Sequence, residues 1–270
     1  MGADSSLAYK GYFGRYFDER TASNLEAYRE VPRSLLSHCY QRRLAICLDW
    51  LRDSGLPPGS MILDVGCGAS PLVQEVGRLG YRGVGVDYSF AMLREAQAGF
   101  PPKFAQGDIE ALPIPARTFD AVFCLGVICY LPSDDAALRE LSRVTRAGGL
   151  LMLSVPNKMN LTAITDPALY VQKKLRTLLR RRGGGPGSRA GPEYTERYYT
   201  ISQVNDLLER AGFVPETFRT LGFGPITMLG RPLVSQQAAI CISRAFEGLH
   251  WVSGLRTLGT RYLVRARKRP

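Results

Sequence analysis

The sequence predicts an α/β protein built on a mostly parallel, seven-stranded sheet with helices on both faces. Three observations carry this. Met61–Gly68 reads M-I-L-D-V-G-C-G, an apolar run that meets Asp64 and enters a glycine turn. A second apolar run, Gly83-Val84-Gly85-Val86, ends at the acidic Asp87. From 61 to 156, short apolar runs then alternate with helical stretches, the pattern of parallel strands joined by crossover helices. Strand, glycine turn, helix, strand, acid is how such a sheet builds a nucleotide-type pocket at the carboxyl ends of its strands.

The elements follow in order. Aromatic residues crowd the start, at Tyr9, Tyr12, Phe13, Tyr16 and Phe17. They either pack a local core or reach the pocket. A helix is expected from about 32 to 52, where Leu35, Leu36, Cys39, Leu44, Cys47, Leu48 and Leu51 recur near helical spacing. Leu56-Pro57-Pro58-Gly59 closes this segment as a turn. Strands are expected at 61–64, 82–86, 102–105, 119–124 and 149–154, with helices near 71–78, 89–97 and 134–145. Pro71 suits a first helical turn, and Ser133-Asp134-Asp135 supplies an N-cap.

Beyond Val155-Pro156-Asn157 the pattern changes. Residues 167–182 place Leu169, Gln172, Leu175 and Leu179 near one helical face, with Val171 and Leu178 beside it. Lys173, Lys174, Arg176, Arg180, Arg181 and Arg182 flank that face. This is a basic amphipathic helix, which either lies on an anionic membrane or presents a solvated face. A glycine-rich loop follows from 183 to 191. Thr200 or Ser202 caps a helix over 202–210, and Ala211-Gly212-Phe213 turns into a sixth strand. A seventh strand is expected at 262–266. The connection from 221 to 258 is long and apolar, with Met228, Leu229, Leu233, Ile240, Ile242, Phe246, Leu249 and Trp251. It extends the core, walls an acceptor pocket or faces a membrane.

The glycine turn narrows the ligand. A dinucleotide fingerprint needs a third glycine, and its place holds Pro71. The short D-x-G-x-G form resembles motif I of the class I methyltransferases, which bind S-adenosylmethionine (SAM). Asp87 resembles the motif II acid. Gly107-Asp108-Ile109 with Leu112-Pro113-Ile114 looks like motif III, and Phe119–Cys124 like the fourth strand. Arg139-Glu140 through Arg146-Ala147-Gly148-Gly149-Leu150-Leu151 resembles the helix, turn and fifth strand of that family. The match covers about 60–156, with a looser echo at 196–267. It departs at Ser70, where relatives carry another glycine. It departs again at Cys129-Tyr130-Leu131-Pro132, where many relatives carry a His pair before L-P.

The resemblance implies a Rossmann-like class I methyltransferase fold. Residues 1–57 would form an N-terminal helical cap. Residues 58–270 would form the SAM domain, with insertions near 157–197 and 221–258. Asp64 and the backbone of Gly66, Cys67 and Gly68 would hold the methionine end. Asp87 would accept from the ribose, with Tyr88 and Met92 adjoining. Asp108 would accept from the adenine amine, and the Ile109 N–H would donate to its ring. Leu125 and Gly126 would border the sulfonium, and Tyr16 would touch SAM from the cap. The product would be S-adenosylhomocysteine (SAH). For the acceptor's proton, His38 is a candidate base and Tyr130 a candidate for orienting a hydroxyl, though a phenol is a poor base. Proximity alone is the third option.

Charge bears on the acceptor. The chain of 270 residues is 45% hydrophobic with net charge +11, an ordinary balance for one large domain. Residues 1–150 carry 16 Lys and Arg against 17 Asp and Glu, whereas 151–270 carry 19 against 7. The excess suggests an anionic partner for the C-terminal portion. The expected reaction is methyl transfer to an O, N or C nucleophile of a hydrophobic or lipid-like small molecule. A nucleic-acid methyltransferase is the alternative, weakened because no N-P-P-Y-like motif follows the fourth strand. A non-catalytic SAM-binding scaffold is another. No C-x-x-C pair occurs among the six cysteines, and His38 and His250 are the only histidines, so no metal site is expected. No apolar run reaches the ~18 residues of a membrane span, and no signal-peptide pattern opens the chain. These point to a cytoplasmic enzyme with peripheral membrane contact at most.

Overall fold

A computed structural model describes residues 3–19, 21, 26–28, 31–69, 71–97, 103–168, 171 and 196–270. The main sheet has seven strands in the order β3-β2-β1-β4-β5-β9-β6. They are β1 (Met61–Val65), β2 (Arg82–Asp87), β3 (Lys103–Gln106), β4 (Phe119–Leu125), β5 (Thr145–Pro156), β6 (Phe213–Leu221) and β9 (Arg261–Lys268). β1 to β5 run parallel, and β9 runs antiparallel between β5 and β6. A separate hairpin pairs β7 (Thr227–Met228) with β8 (Arg231–Pro232).

The helices are α1 (Ala3–Asp18), α2 (Leu35–Arg52), α3 (Leu72–Arg78), α4 (Phe90–Gln97), α5 (Asp135–Val144), α6 (Leu161–Thr165), α7 (Ile201–Arg210) and α8 (Gln236–Gly248). Alternation along the strands divides the core between the two faces. Val122, Cys124, Leu151 and Leu153 pack on α5 and α7 through Leu138, Leu141, Val204 and Leu208. Ala121, Phe123, Leu150 and Met152 pack on α2 and α3 through Ile46, Cys47, Leu51, Leu72 and Val76. Both faces are covered, which is why these strands read as continuous apolar runs.

Capping residues set the helix starts. Ser34 opens α2 in a capping box with Ser37, and Thr200 opens α7 in one with Gln203. Asp134 precedes α5 but its side chain does not cap it. Its carboxylate instead takes Arg197 and the Tyr199 hydroxyl. Five of the six cysteines are buried and all are free, as small core residues would be.

The sheet and the crossover helices follow the sequence reading within a few residues. β5 starts earlier than expected, at Thr145, because Thr145 already pairs with Phe119 across a register shift. α1 lies inside the stretch expected as a helical cap, without bounds of its own in the sequence reading, and α8 is a helix where the pattern assigned none. The expected basic helix over 167–182 and the loop after it fall largely outside the described residues. Among those residues, no helix is long and apolar enough to cross a membrane.

Candidate functional site

Each parallel strand ends at one edge of the sheet, and the chain turns there. Gly66, directly after β1, takes φ of +69°. A Cβ at that place would stand 2.3 Å from Val127 Cγ2, so both the turn and the close approach require glycine. The Gly66 and Cys67 N–H groups donate to the Val86 carbonyl, at 2.7 and 3.1 Å, and stitch the turn to β2. The Gly68 N–H donates to Asp87 Oδ2 at 2.7 Å, and the Ser89 N–H to Asp87 Oδ1 at 2.8 Å. Burial holds the Asp87 carboxyl above its usual range, opposed by those same N–H groups.

Beside this loop lies a cavity. It is lined by Gly66, Cys67, Gly68, Asp87, Tyr88, Met92, Asp108, Ile109, Leu125, Gly126 and Tyr130, all expected from the sequence. Asp108 sits in a tight turn in which its Oδ1 accepts the Glu110 N–H at 2.9 Å. Asp64 stands one residue behind Val65, which does line the wall. It is buried, and that burial pushes its carboxyl up to about 7, with the nearby Arg43 charge pulling the other way.

This displacement has a sign that can be tested. A carboxyl raised from 3.8 to about 7 on folding favours the folded state at low pH. That stability is lost as pH rises from about 4 through 7. Asp64→Asn should flatten this decline and leave the variant more stable above pH 7, by roughly 1–4 kcal/mol. Urea midpoints measured across that pH range check it; parallel curves for the two proteins would contradict it.

Besides Asp64, two further expected residues do not line the cavity. His38 is buried but does not line the cavity. Its Nε2 lies 3.2 Å from Glu247 Oε1, a carboxylate that also takes Arg42 Nε at 3.0 Å and Ser243 Oγ at 2.9 Å. This cluster fastens α8 to α2, so His38 is corrected from a candidate base to a fastening residue. Tyr16 stacks on Tyr12 at 6.4 Å between ring centroids. Among the described residues of α1, Phe13, Gly14 and Phe17 reach the cavity.

Sequence reasoning missed several lining residues. Arg43 is 8% exposed, donates to the Tyr28 hydroxyl at 3.1 Å, and lies 5.1 Å from the centroid of the Tyr40 ring. A Cβ on Gly126 would come within 3.1 Å of Arg43 Nη1, so the glycine makes room for the guanidinium. A signal was available: an arginine four residues from Cys39 and from Cys47 sits on the apolar stripe of α2. Arg261, at the start of β9, also lines the cavity. Its Nη1 donates to Glu196 Oε1 at 2.6 Å, and the Tyr130 hydroxyl donates to the same oxygen at 3.2 Å. Among the described residues, no cluster of His, Cys, Asp and Glu has the arrangement to hold a metal ion.

Comparisons with known proteins bear on this arrangement. A family model described as a methyltransferase domain matches residues 63–153. The demethylmenaquinone methyltransferase of Mycobacterium tuberculosis (strain ATCC 25618 / H37Rv) is 30% identical over 180 residues, covering 63% of this chain and 74% of that protein. The ubiquinone biosynthesis O-methyltransferase of Chromobacterium violaceum is 27% identical over 192 residues, covering 67% of this chain and 76% of that protein. Magnesium protoporphyrin IX methyltransferase from Synechocystis PCC 6803, solved with bound SAH, superposes with a TM-score of 0.60 at 19% identity, covering 96% of this chain and 99% of that one. The [4+2]-cyclase SpnF has the same fold, with a TM-score of 0.59 at 19% identity over 95% of this chain and 96% of that one. The last of these shows that fold alone does not name a reaction.

Proposed function

The chain belongs to the class I SAM-dependent methyltransferases, and on that premise we propose that its sheet-edge cavity holds SAM against a hydrophobic small-molecule acceptor. The observation that carries the reading is the pairing of the Gly66–Gly68 turn with Asp87. The turn leaves backbone exposed to a ligand, and the carboxylate beside it can accept two ribose hydroxyls. The loop lacks the third glycine of a pyrophosphate cradle, which fits a ligand without phosphate.

Bound SAM supplies a methyl group on a positively charged sulfur, open to in-line displacement. The chain's own residues have to orient, neutralise and exclude water. Asp64 and Arg43 offer opposite charges to the ammonium and carboxylate of the methionine end. Asp108 and the Ile109 N–H serve the adenine. Leu125 and Gly126 border the reacting centre. Phe13, Phe17 and Tyr130 close the cavity with aromatic rings, which suit an apolar acceptor and keep water out. The relatives named for ubiquinone and demethylmenaquinone support the same class of acceptor.

The test uses methyl-labelled SAM, offered with lipid, quinone, sugar and RNA extracts, followed by mass analysis. The expected outcome is a methylated apolar compound. Label appearing only in RNA would favour the nucleic-acid alternative. Peripheral contact with anionic membrane through 167–182 belongs to this reading too. It is supported by the sequence charge alone, with six cationic side chains between Lys173 and Arg182.

A further inference from the structure

The Tyr130 ring packs against two phenyl rings of α1, with centroids 5.1 Å from Phe13 and 5.2 Å from Phe17. Its hydroxyl donates to Glu196 Oε1 at 3.2 Å, 66 residues further along the chain. Glu196 does not line the cavity itself; Tyr130 and Arg261, its two partners, do. A carboxylate is thus held just behind the cavity wall, with one phenol hydroxyl between it and the cavity.

We infer that Glu196, acting through the Tyr130 hydroxyl, takes up the proton of the methyl acceptor, and that the acceptor is an aromatic or enolic hydroxyl compound. This rests on the reading that the cavity binds SAM. The chemistry is as follows. An acceptor O–H lies against the Tyr130 oxygen. As the acceptor oxygen forms its bond to the methyl carbon, the carbon–sulfur bond breaks and its electron pair stays on sulfur, giving a neutral thioether. The acceptor's proton passes to the Tyr130 oxygen, and the Tyr130 proton passes to Glu196. The phenol is unchanged at the end. Glu196, with a side chain 20% exposed, returns the proton to water.

Three observations favour the relay. Tyr130 cannot be the base on its own: burial, and then the Glu196 charge, push its phenol well above its usual range. It can take a proton only if it gives one up, and Glu196 is its acceptor. Arg261 fixes the Glu196 carboxylate by a short ion pair at 2.6 Å, which holds the oxygen that takes the Tyr130 hydroxyl in place. Asp134, four residues along the chain from Tyr130, is already engaged by Arg197 and Tyr199. Among the described residues, the groups facing Glu196 are the Cys129 thiol at 3.9 Å, the Tyr130 hydroxyl, Arg261, and Tyr40 of α2, whose phenol is itself pushed up by burial and, in smaller part, by the Glu196 charge. Glu196 and Tyr130 are therefore a positioning residue and a catalytic residue of one unit.

The experiment offers methyl-labelled SAM with catechol, hydroquinone and 4-hydroxybenzoate, and with aniline and thiophenol as controls. Wild type should form methyl ethers from the phenols and leave aniline untouched. Glu196→Gln and Tyr130→Phe should each lower kcat by about 10²–10⁴, and the double variant should fall no further than the weaker single. Glu196→Asp should recover part of the rate. Catechol affinity for the SAH complex, read by calorimetry, should change less than about threefold in any variant, because the pair moves a proton rather than holding the ring. Methylated aniline, or no ether from any phenol while SAM still binds, overturns the inference. So does a catechol affinity that falls in step with the rate. Failure to bind SAM at all would instead overturn the reading beneath it.

Discussion

Asp87→Ala is expected to weaken SAM and SAH binding by about 1.5–3 kcal/mol, roughly a ten- to hundredfold rise in Kd. Two losses combine. The carboxylate that would accept from the ribose is gone. The Gly68 and Ser89 N–H groups also lose the acceptor that fixes the glycine turn against β2. The fold should survive, since Ser89 still accepts the Met92 N–H at 3.1 Å at the start of α4. Calorimetric titration of both proteins, with a thermal melt as control, checks this. An unchanged Kd would show that the acid only organises the loop.

Asn157→Ala should cost about 2–4 kcal/mol of folding stability. Asn157 is 1% exposed at the end of β5. Its amide donates to the carbonyls of Met159, Thr257 and Gly259 at 2.8, 2.7 and 2.8 Å, and its Oδ1 accepts the Met159 N–H at 3.1 Å. Alanine would strand these backbone groups inside the protein. The same residue joins the Asn157–Thr165 segment to the turn that feeds Arg261 into the cavity wall, so ligand affinity should fall along with the urea midpoint. A midpoint equal to that of wild type would contradict the account.

These two residues differ in how far the sequence revealed them. Asp87 was legible because strand, turn and acid lie within a short stretch, and local spacing dictates their meeting. β4 and β5 were legible for a related reason: strands covered on both faces must be apolar throughout. α8 was not. It buries only Ala239, Ile240 and the polar Ser243, and the run from 221 to 258 shows no clean period. The bounds of α1 were hidden because its aromatic residues face both the cavity and one another.

The cavity's charged wall was the least legible part. Glu196, Tyr130 and Arg261 come from three distant segments, and only the antiparallel return of β9 along β5 brings Arg261 to the sheet edge. Arg43 announced itself faintly, as a charge on an apolar helical stripe. His38 carried the opposite lesson. A histidine on that helix had the chemistry of a base, but its partner is Glu247 of α8, a contact no local pattern predicts.

The central claim is that the cavity between the glycine turn, Asp87 and Arg43 is the SAM site. Calorimetric titration of the wild-type chain with SAH tests it most directly. The account predicts saturable binding in the low-micromolar range or tighter, on the order of −8 kcal/mol. It also predicts proton release near pH 7, read in buffers of different ionisation enthalpy. Burial holds the Asp64 carboxyl near 7, and an ammonium arriving beside it would favour the ionised form. Absence of both heat and a thermal shift with SAH and SAM would contradict the account.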